Sequence, residues 1–222
     1  MKYKLIVFDM DGVIFEHCNF WMELHKEFGT YKEGLELTKK YVKTDYAKLV
    51  EEVVGRLWKG KPADRYYGLV SRINYIAGVK ETVSALKKKG YKTAILSSGA
   101  KDLALRAQRE LGIDYIYTNE LVIKEGKVSG EFRWPVAHDR KAVVLRQWAE
   151  EHHLHLSEII VVGDSDSDAK MMRLAGLGIA FCTDSQELRK VATAVVDKPD
   201  LREILHHIEE FEKREILKTL HK

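Results

Sequence analysis

Asp9 and Asp11 stand two residues apart at the end of the apolar run Leu5-Ile6-Val7-Phe8. An aspartate carboxylate can attack phosphorus and form an acyl phosphate. A second carboxyl two residues on can protonate the leaving oxygen and then activate water. A second acidic stretch, Gly163-Asp164-Ser165-Asp166-Ser167-Asp168, follows an apolar run at 159–162, and Ser97-Ser98-Gly99 follows another at 93–96. Taken singly, each motif has an ordinary reading. Asp-x-Asp and Gly-Asp-Ser suit turns and helix caps, Ser-Ser-Gly suits a turn, and a lone lysine such as Lys141 suits a solvated surface. The position of the first three motifs after apolar runs favours chemistry.

Those runs must be positioned by a sheet. Short apolar segments at 4–8, 93–96, 159–162, 179–181 and 194–196 alternate with helical spacing, the pattern of a mostly parallel sheet in an α/β fold. Val79, Val83 and Leu86 share one helical face before Gly90, and Leu103, Ala107 and Leu111 another before Gly112. Residues 170–175 read as a short helix, and Leu201, Ile204, Leu205, Ile208 and Phe211 as a long C-terminal one. A hairpin is expected over 121–132 with Glu125-Gly126 at its turn. Residues 16–76 carry helical spacing and no convincing strand. The expected division is therefore a doubly wound, Rossmann-like core, 1–15 and 77–222, with a small helical insert at 16–76.

In an open parallel sheet the C-terminal strand ends share one edge, where ligands bind. Asp9, Asp11, Ser97, Asp164 and Asp168 are thus expected to converge. Two like charges about 4 Å apart repel by about 4 kcal/mol at an effective dielectric near 20. A hard divalent cation, Mg²⁺, would relieve that repulsion and leave coordination positions for phosphate oxygens.

Composition narrows the alternatives. The chain has 222 residues, 45% of them apolar, enough for a sizeable core. Lys plus Arg exceed Asp plus Glu by 37 − 34 = 3, which argues against a nucleic-acid binder. The longest basic run, Lys87-Lys88-Lys89, suits a helix C-terminus. Two cysteines cannot build a disulfide framework. No run approaches the roughly 20 apolar residues of a membrane span, and the first apolar run is too short for a signal-peptide core. The expectation is a soluble, cytoplasmic enzyme. His152, His153 and His155 read as a solvated face, and Trp21, Trp58, Tyr66 and Tyr67 as packing residues or the lining of an entrance.

The motifs resemble those of the haloacid dehalogenase-like hydrolases over essentially the whole chain. Asp9-Met10-Asp11-Gly12-Val13 is similar to the first motif, Ser97 to the second, Lys141 to the third and Gly163 to Asp168 to the fourth. Within that family the stretches Leu121-Val122-Ile123-Lys124-Glu125-Gly126, Gly176-Leu177-Gly178-Ile179-Ala180-Phe181 and Asp200-Leu201-Arg202-Glu203-Ile204-Leu205 resemble the phosphoserine phosphatases. The resemblance implies Asp9 as nucleophile, Asp11 as general acid and base, and Mg²⁺ held by Asp9, Asp164 and the Asp11 backbone carbonyl. It implies Ser97, Ser98, Gly99 and Lys141 around the phosphoryl oxygens, with Asp168 orienting Lys141 or a metal-bound water. Ser167 stands where the family usually has asparagine. The insert at 16–76 corresponds to the helical cap.

The implied reaction is hydrolysis of a small phosphorylated metabolite through an aspartyl-phosphate. A phosphoserine phosphatase proper, a phosphotransferase and a non-catalytic phosphometabolite-binding protein are the alternatives. In the cap the resemblance weakens. The family's ammonium-binding glutamate, nine residues after the nucleophile, falls on Cys18, and its carboxylate-binding arginine falls near Val54. Glu16 and Arg56, two residues away in each case, are the nearest replacements. The pattern predicts a retained reaction and a leaving group less zwitterionic than phosphoserine.

Overall fold

The structure, a computed structural model, describes residues 2–16, 19–136 and 140–220. β1 (Leu5–Phe8) is followed by α1 (Phe20–Glu27), α2 (Tyr31–Tyr41), α3 (Tyr46–Val50), which runs on as a π-helical stretch over Glu51–Trp58, and α4 (Ala63–Arg72). The chain continues through α5 (Val79–Lys88), β2 (Lys92–Ala100), α6 (Lys101–Leu111), β3 (Tyr115–Lys124), β4 (Lys127–Arg133) and α7 (Lys141–Glu151). Then come β5 (Ile159–Gly163), α8 (Ala169–Met172), β6 (Leu177–Phe181), α9 (Gln186–Val191), β7 (Ala194–Val196) and α10 (Glu203–Leu220).

The seven strands form one sheet in the order β4-β3-β2-β1-β5-β6-β7. All neighbours are parallel except β3 and β4. β1 lies at the centre, with Phe8 opposite Ile95 of β2 on one side and Val162 of β5 on the other. β1 and β5 are buried along their whole length, which explains their unbroken apolar sequence, because helices cover both faces. One core lies under α5, α6 and the insert helices, and a second lies under α7, α8 and α9. Gly90 and Gly112 follow α5 and α6 with φ of 88° and 71°, conformations that stop a helix without a Cβ clash.

Three expectations are corrected. β2 does not end at Leu96 but runs to Ala100, its pairing with β3 shifting register between those residues. The hairpin strand begins at Tyr115 rather than 121, because its first half pairs in parallel with β2 while only its second half pairs with β4. The helix expected over 170–175 is the single turn Ala169–Met172. Four residues beyond its end Gly176 packs against the Ser157 carbonyl; a Cβ at Gly176 would lie 2.0 Å from that oxygen.

Between residues 16 and 76 the described residues form helices and no strand. The two ends of this segment are hydrogen-bonded to each other at a neck. Ile76 N–H donates to Ile14 O at 3.0 Å, Glu16 N–H donates to Asn74 O at 2.9 Å, and Phe15 stacks on Tyr75 at 4.7 Å. A second attachment runs to the hairpin. Gly60 N–H donates to Val128 O, Val128 N–H to Lys61 O, and Ala63 N–H to Gly126 O, each at 2.8–2.9 Å.

Candidate active site

β1 delivers Asp9 to the sheet edge. Its N–H donates to Val162 O at 2.9 Å, and its own carboxylate accepts from Met10 N–H at 2.7 Å. A tight turn follows, with Ile14 N–H donating to Met10 O and Gly12 N–H to Phe15 O, which returns Asp11 towards the same edge. β5 ends at Gly163, whose missing side chain leaves room for Asp168: a Cβ there would lie 2.6 Å from the Asp168 Cβ.

Asp168 is fully buried and fully paired. One of its oxygens accepts from the N–H groups of Asp164 and Ser165, both at 3.1 Å, and the other accepts from Lys141 Nζ at 2.7 Å. Lys141, at the first residue of α7, is 2% exposed and also meets Asp9 Oδ2 at 2.8 Å. The ammonium therefore bridges two carboxylates. Burial favours its neutral form, but the charges of Asp168 and Asp9 outweigh burial and hold the amine protonated, above the ordinary lysine range.

The surrounding acids are shifted the other way. Burial first and the charge of Asp168 second raise Asp9, against the pull of Lys141. Burial and then the charge of Asp9 push Asp11 up to about 8. Asp164 is raised by burial and then by Asp9. Oxygens of Asp9, Asp164 and Asp168 lie within 4.8 Å of one another, and Asp11 Oδ1 is buried without a hydrogen-bond partner among the described residues. Crowded hard oxygen donors with more negative charge than Lys141 can offset suit a divalent cation.

A cavity of about 300 Å³ opens above these groups. Asp9, Asp11, Ser97, Ser98, Gly99 and Lys141 meet at its floor, joined by Asp164, Ser165 and Ser167. Ser97 Oγ accepts from Gly99 N–H at 3.1 Å, and Ser165 Oγ lies 2.9 Å from Ser167 Oγ. Asp166 is exposed and is hydrogen-bonded by the Ser185 hydroxyl.

The two cap replacements are not brought to the cavity. Glu16 is exposed and accepts from Asn74 Nδ2 at 3.1 Å, binding the two chains of the neck. Arg56 is 52% exposed and pairs with Glu52 at 2.7 Å and Glu33 at 2.6 Å. Residues two apart on a helix do not share a face, so Val54 lines the cavity while Arg56 does not. Cys18 lies outside the described residues. Of the aromatics, Trp21 and Trp58 line the cavity, whereas Tyr66 is buried against Asp102, its hydroxyl donating at 2.8 Å.

Sequence reasoning missed Asn119, His25 and Phe132. Asn119 is fully buried; its amide donates to Ser98 O at 3.0 Å and Val136 O at 2.9 Å, and its carbonyl accepts from Val136 N–H. It shares the Ser98 carbonyl with Trp21 Nε1 and so holds the irregular end of β2. An asparagine at the end of the apolar-aromatic run Tyr115-Ile116-Tyr117-Thr118 was the available signal. His25 and Phe132 reach the cavity from α1 and β4, and nothing local distinguishes either from an ordinary packing residue.

A family model for haloacid dehalogenase-like hydrolases matches residues 6–173. The phosphoserine phosphatase of Methanocaldococcus jannaschii is 32% identical over 210 residues, covering 93% of this chain and 98% of that one. The enzyme of the same name from Streptococcus thermophilus is 33% identical, covering 94% and 97%. A solved phospho-aspartyl intermediate analogue of phosphoserine phosphatase superposes with a TM-score of 0.79 at 31% identity, covering 93% of this chain and 99% of the other. The chain belongs to the haloacid dehalogenase-like hydrolases and, within them, to the group of phosphatases that includes these phosphoserine phosphatases.

Proposed function

We propose that the protein hydrolyses small phosphomonoesters with Asp9 as nucleophile. The observation that carries this reading is the junction of Asp9 and Lys141 at 2.8 Å on the floor of a cavity lined by Ser97, Ser98 and Gly99. A carboxylate oxygen of Asp9 attacks phosphorus as the bond from phosphorus to the alcohol oxygen breaks. Asp11, whose raised affinity for a proton suits a general acid, gives that proton to the departing alcohol. It then takes a proton from the water that attacks the aspartyl-phosphate, releasing inorganic phosphate and restoring Asp9. Lys141 neutralises oxygens that gain charge in the transition state, and Asp168 fixes the ammonium through the 2.7 Å contact.

Asp9 and Asp164, with the backbone at Asp11, would hold Mg²⁺; Asp168, also within the acidic cluster, is committed to Lys141 and two backbone amides. The bound ion supplies charge neutralisation that lets the dianionic phosphate approach Asp9. Residues 16–76 act as the cap over a core formed by 1–15 and 77–222, a reading supported by the insert residues in the cavity wall. Phosphoserine is the second reading of the substrate, favoured by the names of the relatives.

The test uses p-nitrophenyl phosphate with Mg²⁺. Acid quench during turnover should trap phosphate on the protein, and borohydride should reduce position 9 to homoserine. Asp9→Asn should fold, lose turnover and take no label. Wild-type turnover by Asp9→Asn would end the covalent reading.

A further inference from the structure

The floor of the cavity is charged and its wall is not. Val42, Leu49, Val50, Val53 and Val54 form one side, from the helix that starts at α2 and from the α3–π-helical segment. Trp21 and Trp58 also line it, their rings 6.2 Å apart, and Phe132 packs edge-on against Trp21 at 5.2 Å. The polar groups in this wall are Asn19, Thr38, Tyr46 and His25. Trp58 Nε1 donates towards His25 Nδ1 and Thr30 Oγ1, each at 3.2 Å, and those two atoms lie 2.7 Å apart, so the ring is held inside this network. Burial holds this imidazole neutral down to about pH 4 and keeps the Tyr46 phenol protonated up to about 12.

Among the described residues lining the cavity, the carboxyl and ammonium groups are those of the aspartates and Lys141 of the floor; no arginine or glutamate lines the wall. The basic groups nearby are engaged elsewhere. Arg56 pairs with Glu52 and Glu33, Arg65 donates to Glu27 O, Lys61 donates to Phe28 O, and Arg72 pairs with Glu27.

We propose that this site takes phosphomonoesters of uncharged alcohols or phenols with an apolar, ring-sized body, packed against the valines and Trp58 of the π-helical segment and against Trp21, and that it rejects amino-acid phosphates. The proposal rests on the phosphatase reading for its floor, and adds the identity of the leaving group. A phosphoserine bound here would bury an ammonium and a carboxylate against valine and tryptophan, and a buried charge without a partner is strongly disfavoured. An apolar body would instead exchange water for the apolar surface already present. Val54 is one of the apolar residues of this wall, and an arginine in its place would bring a cation to it.

Binding and turnover are measured separately. Calorimetry on Asp9→Asn with Mg²⁺ compares benzyl phosphate, phenyl phosphate and L-phosphoserine, and kcat/KM for the three is taken on the native enzyme. Benzyl or phenyl phosphate should exceed phosphoserine by about a hundredfold or more in kcat/KM, with tighter binding to Asp9→Asn. Equal or tighter binding of phosphoserine overturns the proposal. Preferential binding of the aryl esters without turnover of any ester supports it and refutes the phosphatase reading instead. Val54→Arg, checked for folding by inhibition with inorganic phosphate, should narrow the preference at least about tenfold; an unchanged ratio in a folded variant assigns the selectivity elsewhere and overturns the role of this wall.

Discussion

Lys141 is the residue on which the floor of the site turns. Its ammonium is buried between Asp9 and Asp168 at 2.8 and 2.7 Å, and a buried charge of this kind is tolerated only because both partners are in place. The same arithmetic leaves the acids in excess: three of them are raised by burial and mutual repulsion despite the lysine. Activity is therefore expected to depend on Mg²⁺ and to be poorly supported by Ca²⁺. The larger ion takes more ligands at longer distance and spoils the in-line approach. Initial rates in each metal check this, and full activity in EDTA would refute it. His25 makes a second residue-scale prediction. Burial lowers its affinity for a proton from the ordinary 6.5 to about 4. Between those values the unfolded chain binds a proton that the folded chain refuses, so stability is complete above about 6.5 and falls as the pH drops towards 4. Urea midpoints at pH 7.5 and 5 should show the loss, and His25→Gln should shrink the difference.

At the scale of elements, α1 and α2 meet where Gly34 faces the His25 ring. A Cβ at Gly34 would lie 2.2 Å from the His25 Cε1. Gly34→Ala must push the two helices apart or turn the ring, at a cost of about 1–3 kcal/mol. Chemical denaturation should show that loss, and a variant as stable as the parent would mean that the helices repack freely. The π-helical stretch matters for a different reason. Its i→i+5 pattern places Val53 and Trp58 with Val54 in buried positions, while Arg56 stays out among Glu33 and Glu52. Selectivity in this wall is thus a property of helix geometry as much as of composition.

For the whole molecule, the attachments of the insert differ in kind, and Tyr66 on Asp102 and Trp21 on the Ser98 carbonyl add side-chain links to those of the neck and the hairpin. The neck joins 14–16 to 74–76, whereas residues 60–63 are hydrogen-bonded to the β3–β4 hairpin. Movement that admits substrate and excludes water is expected to open the α1–α3 side while the hairpin side stays attached. Hydrogen exchange should show α1, α2 and α3 exchanging faster than the central strands, and slowing when orthovanadate and Mg²⁺ are added. Identical exchange with and without the ligand would argue for a rigid cap.

The motifs at Asp9, Ser97, Lys141 and Gly163 to Asp168, and the α/β alternation around them, were legible because they obey local rules. Apolar runs buried on both faces make strands, glycine stops helices, and polar residues after strands gather at one sheet edge. The insert was legible only as helical. Which of its side chains face the floor depended on the π-helical register and on the neck, and both are set by packing between segments far apart in the chain. A count along the sequence could bring Glu16 and Arg56 within two residues of the expected positions. Only the tertiary structure decided that Glu16 ties the neck, that Arg56 faces its own acids, and that valine and tryptophan line the wall instead. Side chains two residues apart on a helix do not share a face, so within Glu51–Trp58 a displacement of two residues separates the inside of the site from its outside.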